Sequence, residues 1–119
     1  MQAALLTITG VGYATMSDSA RFNVGQVVHH LKFDYRGVVV DVDAEFSGTD
    51  EWYQLVARSH PPKDRPWYHV LVDGENHVTY VAERHLEADD SQLPVSHPYV
   101  DQIFAEFSDG AYRRRDPIN

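Results

Sequence analysis

The run Tyr35-Arg36-Gly37-Val38-Val39-Val40-Asp41-Val42-Asp43 sets the pattern of the chain. Valine is stiff at its first side-chain torsion and fits a pleated strand better than a helix, so this run predicts a strand. Alternation places Val38, Val40 and Val42 on one face and Val39, Asp41 and Asp43 on the other. That predicts burial along the first face and wetting at the far end of the second. Gly37 stands where a bulge or a close backbone approach is tolerated. Upstream, Phe22 to His30 predicts the first strand, and Lys32 to Tyr35 the short connection that makes a hairpin. Downstream, Trp67 to Val72 and His77 to Ala82 flank Asp73-Gly74-Glu75-Asn76, a strong turn signal, and predict a second hairpin. Glu83 to Leu86 predicts a short turn that lays Leu86 against the core.

Two segments carry a helical period. Thr49 can cap a helix from Asp50 to about Arg58, with Asp50 and Glu51 in its first turn. Trp52, Leu55 and Val56 would share its apolar face. Prolines 61, 62 and 66 then impose an extended loop. Near the end, Ser96 can cap and Pro98 can start a second helix, and Val100, Ile103, Phe104 and Phe107 form a stripe that predicts a C-terminal helix. Asp109-Gly110 would stop it. The expected organisation is a flexible N-terminal extension over 1–20, a β domain over 21–87, and a linker, short helix and solvated basic tail over 88–119. The first segment lacks the Lys or Arg that precedes the apolar stretch of a signal peptide. Met16 offers an alternative translation start to Met1.

Composition narrows the function. At 119 residues the chain is one domain with tails. A β core of this size is near the lower limit for folding unaided, so self-association would help it. It has no cysteine, which excludes disulfides, thiolate metal sites and thiol nucleophiles, and fits a reducing compartment. No apolar run is long enough to span a bilayer. The formal charge is −8, and the excess lies in residues 73–112, where Arg84 is the single basic side chain. Such a protein repels phosphate backbones at long range, so broad electrostatic binding of DNA is not expected. A local DNA site including Lys32, Arg36, Lys63 and Arg65 stays open, with the terminal arginines as possible additions.

The candidate chemistry points to binding. Seven histidines invite a metal reading, but His29 and His30 are adjacent and face opposite ways on a strand. His69 and His77 could approach across the second hairpin, yet one pair is not a site. Asp41 and Asp43 could suit acid–base work or a hard cation, with a solvated strand end as the plainer alternative. The chain has no Gly-rich phosphate loop, no GxSxG and no His-Glu-x-x-His. Neither an enzyme nor a cofactor or metal is expected. Trp52, Tyr53, Trp67, Tyr68 and Tyr80 could form a binding platform, with about half of them filling the core. Pro66, Trp67, Tyr68, His69 and Tyr80, beside the Pro-rich loop, are the candidate partner-binding residues.

FNVGQVVHH at 22–30, YRGVVVDVDAEF at 35–46, EWY at 51–53, RPWYHVLV at 65–72 and TYVAERHL at 79–86 follow one another in order. Together they resemble the HspQ family of bacterial heat-shock proteins, also called the YccV-like or hemimethylated-DNA-binding domain. PVSHPYVDQIF and DGAYRRR, between 94 and 115, resemble the tail of longer members. Where members usually carry a basic residue before the motif histidine, this chain has His29. The resemblance implies a small, mostly β, SH3-like β-barrel, a cytoplasmic location, no catalysis and a homotrimer. It implies a heat-shock role as an adaptor or specificity factor that helps an ATP-dependent protease degrade denatured client proteins. The alternative it implies is recognition of hemimethylated DNA.

Overall fold

The computed structural model of the protein describes residues 20–115. The expectations for the leader, including Met16, lie outside the described residues. The elements run β1 (Val27–His30), β2 (Arg36–Asp43), α1 (Asp50–Val56), β3 (Trp67–Val72) and β4 (Val78–Ala82). A 3-10 turn (Glu83–His85) leads into β5 (Leu86–Ala88), followed by α2 (Val100–Ile103), β6 (Phe104–Ser108) and β7 (Ala111–Arg114). The architecture is mostly β. Five strands form one antiparallel sheet in the order β4-β3-β2-β1-β5, and β6 and β7 form a separate hairpin. The sheet is open, with β4 and β5 as its edges.

Both predicted hairpins are present. β1 pairs β2 from Val27↔Val38 to His29↔Arg36, and β3 pairs β4 from Trp67↔Ala82 to Leu71↔Val78. The first strand begins at Val27; Phe22 precedes it as a buried core residue. Gly37 serves close approach: a Cβ there would meet Leu71 O and Val70 Cγ1 at 2.5 Å each. Leu86 is buried after the short turn, as the sequence predicts.

The facing of the valine strand differs from simple alternation. The register between β2 and β3 shifts between Val39 and Asp41, so Val40 is an inserted residue. One extra residue reverses every later side chain. Val39 and Val42 therefore share a cluster with Val28, Tyr68, Val70, Val81 and Leu86. Val38 and Val40 belong to a second cluster with Val27 and Leu71. The sheet is thus buried on both faces around Val38-Val39, which is why neighbouring positions are both apolar.

The second cluster is completed by Val95, Val100 and Phe104. Here the C-terminal helix expected over Val100 to Phe107 is corrected. Only four residues are helical, and Phe104–Ser108 is a strand paired with Ala111–Arg114. The stripe at helical spacing arose because Val100 and Phe104 are buried through different elements. Arg113 and Arg114, expected in a solvated tail, are strand residues, and Arg113 pairs with Glu106 at 2.9 Å. The hairpin is tied to the sheet at Gly25, whose carbonyl accepts from Tyr112 N and whose N–H donates to Val39 O, each at 2.8 Å.

The first helix forms as predicted, with Thr49 Oγ1 accepting from Trp52 N at 3.1 Å. Its inward residue is Tyr53, not the expected Trp52-Leu55-Val56 face: Leu55 and Val56 are exposed. Tyr53 wins because Trp67 and Ala82 offer it a buried third cluster.

Candidate functional site

A cleft of about 460 Å³ follows β4 along its length, from Val78 to Ala82. Thr79 and Val81 face one side of the sheet, while Val78, Tyr80 and Ala82 face the other. All five line the same cleft, so the cleft wraps around the free edge of β4. Its opposite wall is the β1–β2 connection with the 3-10 turn, through His30, Phe33, Tyr35 and His85. Its third side is the segment after α1, with Arg58, Ser59 and Pro61.

The walls are fixed by specific contacts. Tyr35 Oη and Thr79 Oγ1 share a hydrogen bond at 2.8 Å across the floor. His30 is buried and stacks on Phe33, Tyr35 and His85, with ring centroids 4.9, 5.0 and 5.7 Å away. Its Nδ1 accepts from the backbone N–H of Lys32 and Phe33, which holds the connection closed over it. Burial first, then the His85, His29 and Lys32 charges, pushes the His30 imidazole down to about 4. His85 is lowered by the same kind of burial, then by Arg84 and Lys32. Ser59 Oγ bonds His85 Nε2 at 2.9 Å, joining two walls.

The aromatic platform divides between core and surface. Tyr68 is fully buried: its hydroxyl donates to Glu83 Oε2 at 2.6 Å and accepts from Arg21 N at 3.1 Å. Burial, reinforced by Glu83, raises its pKa. Trp67 and Pro66 are also buried, and Trp67 Nε1 donates to Pro62 O at 3.1 Å. Of the five candidate partner-binding residues, His69 and Tyr80 are half-buried, and only Trp67 and Tyr80 line the cleft. The residues that sequence reasoning missed are those of the far wall, above all Phe33, His85 and Arg58. An apolar residue in a short polar connection, Phe33, was the signal available for the first.

The four candidate DNA contacts are not brought together. Arg36 is committed internally, 2.9 Å from Asp73 and 3.2 Å from Asp89, with the carbonyls of Leu93 and Pro94 as further acceptors. Lys63 pairs with Asp50 at 3.1 Å and sits 4.4 Å from the Tyr53 ring centre. Arg65 is exposed in the Pro-rich loop. Lys32 alone of the four lines the cleft, where Arg58 joins it. Among the described residues, no Asp or Glu lines the cleft, in a protein of charge −8.

On the face of the sheet that carries Tyr80, Asp41, Asp43 and His69 converge, with one ligand atom of each within 4.8 Å of the others. The register explains it: the bulge sets Asp41 opposite His69 and Asp43 opposite Trp67. Three protein ligands of this kind could hold a divalent cation with water completing its shell. Asp43 Oδ2 already accepts from Tyr80 Oη at 2.7 Å, Ser47 Oγ at 3.0 Å and His69 Nε2 at 3.1 Å. Burial alone would raise Asp43, but these hydrogen bonds outweigh it and hold the carboxyl below its ordinary value. His77 is not part of this group, because it lies opposite Val72 while His69 lies opposite Tyr80. Among the described residues, no helix is long and apolar enough to cross a membrane.

Comparison with protein families gives one match that covers most of the chain. The family described as hemimethylated DNA-binding protein YccV like matches residues 20–111.

Proposed function

We propose a function from the premise that this chain belongs to the YccV-like family. The protein is a non-enzymatic cytoplasmic adaptor that presents denatured polypeptides to an ATP-dependent protease under heat stress. In this reading the open sheet corresponds to an SH3-like barrel, and the cleft between the free edge of β4 and the β1–β2 connection is the binding site. One observation carries this reading: the cleft has an exposed apolar rim. Phe33 is 68 %, Val56 56 % and Val78 51 % exposed, around a floor of aromatic rings. Apolar side chains held open beside a groove fit the segments that denatured proteins uncover. A trimer would add further copies of the cleft and raise avidity for one client.

The test adds the purified protein to the ATP-dependent proteases of the same cell with a denatured client. Faster degradation by one protease is expected, and Phe33→Ser with Val78→Ser should abolish the gain. Unchanged rates across the whole protease panel would sink the adaptor reading.

A second reading, recognition of hemimethylated DNA, is favoured by the family's description. The dispersal of Lys32, Arg36, Lys63 and Arg65 provides no continuous basic track for a duplex. A salt titration against hemimethylated and fully methylated duplexes distinguishes the two readings. A clear preference for the hemimethylated duplex at physiological salt establishes the second, and equal weak binding removes it.

A further inference from the structure

We infer that the cleft takes its polypeptide as an added β-strand on the free edge of β4, and that it selects an extended apolar segment with an acidic flank. This inference rests on the adaptor reading for the source of the segment, but its geometry stands by itself. Among the described residues, β4 pairs only with β3. Val72 N donates to His77 O, and Glu83 N to Pro66 O, each at 3.1 Å. These two bonds fix the phase of the antiparallel ladder. Residues 77, 79, 81 and 83 turn their backbone groups toward β3, so Val78, Tyr80 and Ala82 turn theirs outward. Among the described residues, nothing bonds to the outward backbone groups of Val78 and Tyr80.

An unpaired edge beside an apolar groove is the arrangement that β-augmentation uses, with main-chain bonds for affinity and flanking pockets for side chains. Here the pockets exist on both sides of the strand. Alternate side chains of an added strand would meet Tyr35, Thr79 and Val81 on one side and Trp52 and Tyr80 on the other. Ala82 is buried under Tyr53 and Trp67, so the accessible edge is the half around Val78 to Tyr80.

The acidic flank follows from charge. Lys32 and Arg58 line the cleft, among the described residues no acidic side chain lines it with them, and Arg84 is fixed beside them by its 2.8 Å bond to Ser59 O. An acidic side chain next to the paired segment would sit in this positive end. A basic one would meet repulsion in a site that offers it no partner.

The experiment uses the full chain and a fluorescently labelled peptide that alternates valine and threonine and ends in aspartates. Binding is read by anisotropy. Four changes are made: N-methylation of the peptide at alternate residues, exchange of its aspartates for lysines, Arg58→Glu with Lys32→Glu in the protein, and Val78→Pro. Because one set of alternate amides points at β4, N-methylation in that set should weaken binding about tenfold or more, and in the other set far less. The lysine-flanked peptide should bind about tenfold more weakly, and the charge-reversed protein should prefer it. Val78→Pro removes one outward N–H without touching the ladder to β3, and should weaken binding similarly. If that variant does not fold, the methylated peptides carry the test unchanged. Equal binding of both methylated sets overturns edge pairing, and indifference to the flank overturns the charge selection. Displacement of the peptide by a single-stranded oligonucleotide of the same concentration would make the cleft a nucleic-acid site and overturn both. Client degradation is measured in parallel. Stimulated degradation without sensitivity to methylation spares the adaptor and removes the added strand, while the reverse outcome keeps the strand and removes the adaptor.

Discussion

At the scale of single residues, His30 is the most informative side chain. It is 5 % exposed, and its folded-state pKa is pushed down to about 4 from 6.5. The folded protein therefore binds this proton less readily than the unfolded chain. The stability involved is fully present above pH 6.5 and declines as the pH falls from there toward 4. The loss is at most about 3 kcal/mol. Substituting His30→Asn keeps an acceptor for the Lys32 and Phe33 amides but removes the titration, so urea midpoints should vary less with pH across that window. His29 works in the opposite sense. Its hydrogen bonds to Asp34 and Glu87 raise its pKa, so its contribution is complete below 6.5 and is lost as the pH rises through the folded value. Gly37 is a second residue-level test. A methyl group there meets Leu71 O and Val70 Cγ1 at 2.5 Å, and Gly37→Ala should cost about 2 kcal/mol in denaturant unfolding.

At the scale of elements, the β6–β7 hairpin hangs on Gly25. Its φ is +93°, and a Cβ would lie 2.1 Å from Tyr112 O. Gly25→Ala should therefore detach the hairpin while the five-stranded sheet persists. Hydrogen exchange would show faster exchange in residues 104–114 and near-unchanged protection in β2 and β3. The bulge at Val40 is the other decisive element feature. It gives Val42 to the first cluster and swings Asp41 toward His69. Deleting Val40 would remove the bulge yet leave Asp41 opposite His69 and Val42 in its cluster, so we expect a cooperative thermal melt to survive, lowered by the lost packing of Val40 in the second cluster.

At the scale of the whole molecule, half the buried members of the second cluster come from beyond β5. Val95, Val100 and Phe104 cover Val27, Val38 and Leu71. Each such burial contributes about 1.5–3 kcal/mol, against a total stability of about 5–15 kcal/mol for a domain of this kind. A chain ending after Ala88 should lose its near-ultraviolet dichroism and its cooperative transition. A folded fragment of that length would show that the sheet's first face suffices.

Local chemistry alone determined the two hairpins, the capped helix after Thr49 and the short turn before Leu86. Valine runs, Asp73-Gly74 and a threonine cap act within a few residues of themselves, so they can be read in order along the chain. The aromatic part of the site was legible for the same reason, since Trp67 and Tyr80 lie on a hairpin that the sequence specifies. What only the tertiary structure decided depends on residues far apart in sequence. The bulge answers to the register with β3, and Phe104–Ser108 became a strand because Ala111–Arg114 pairs with it. The commitment of Arg36 needs Asp73 and Asp89. The cleft needs an edge strand, a connection and a loop whose meeting no local pattern encodes, because burial and pairing are properties of partners rather than of segments.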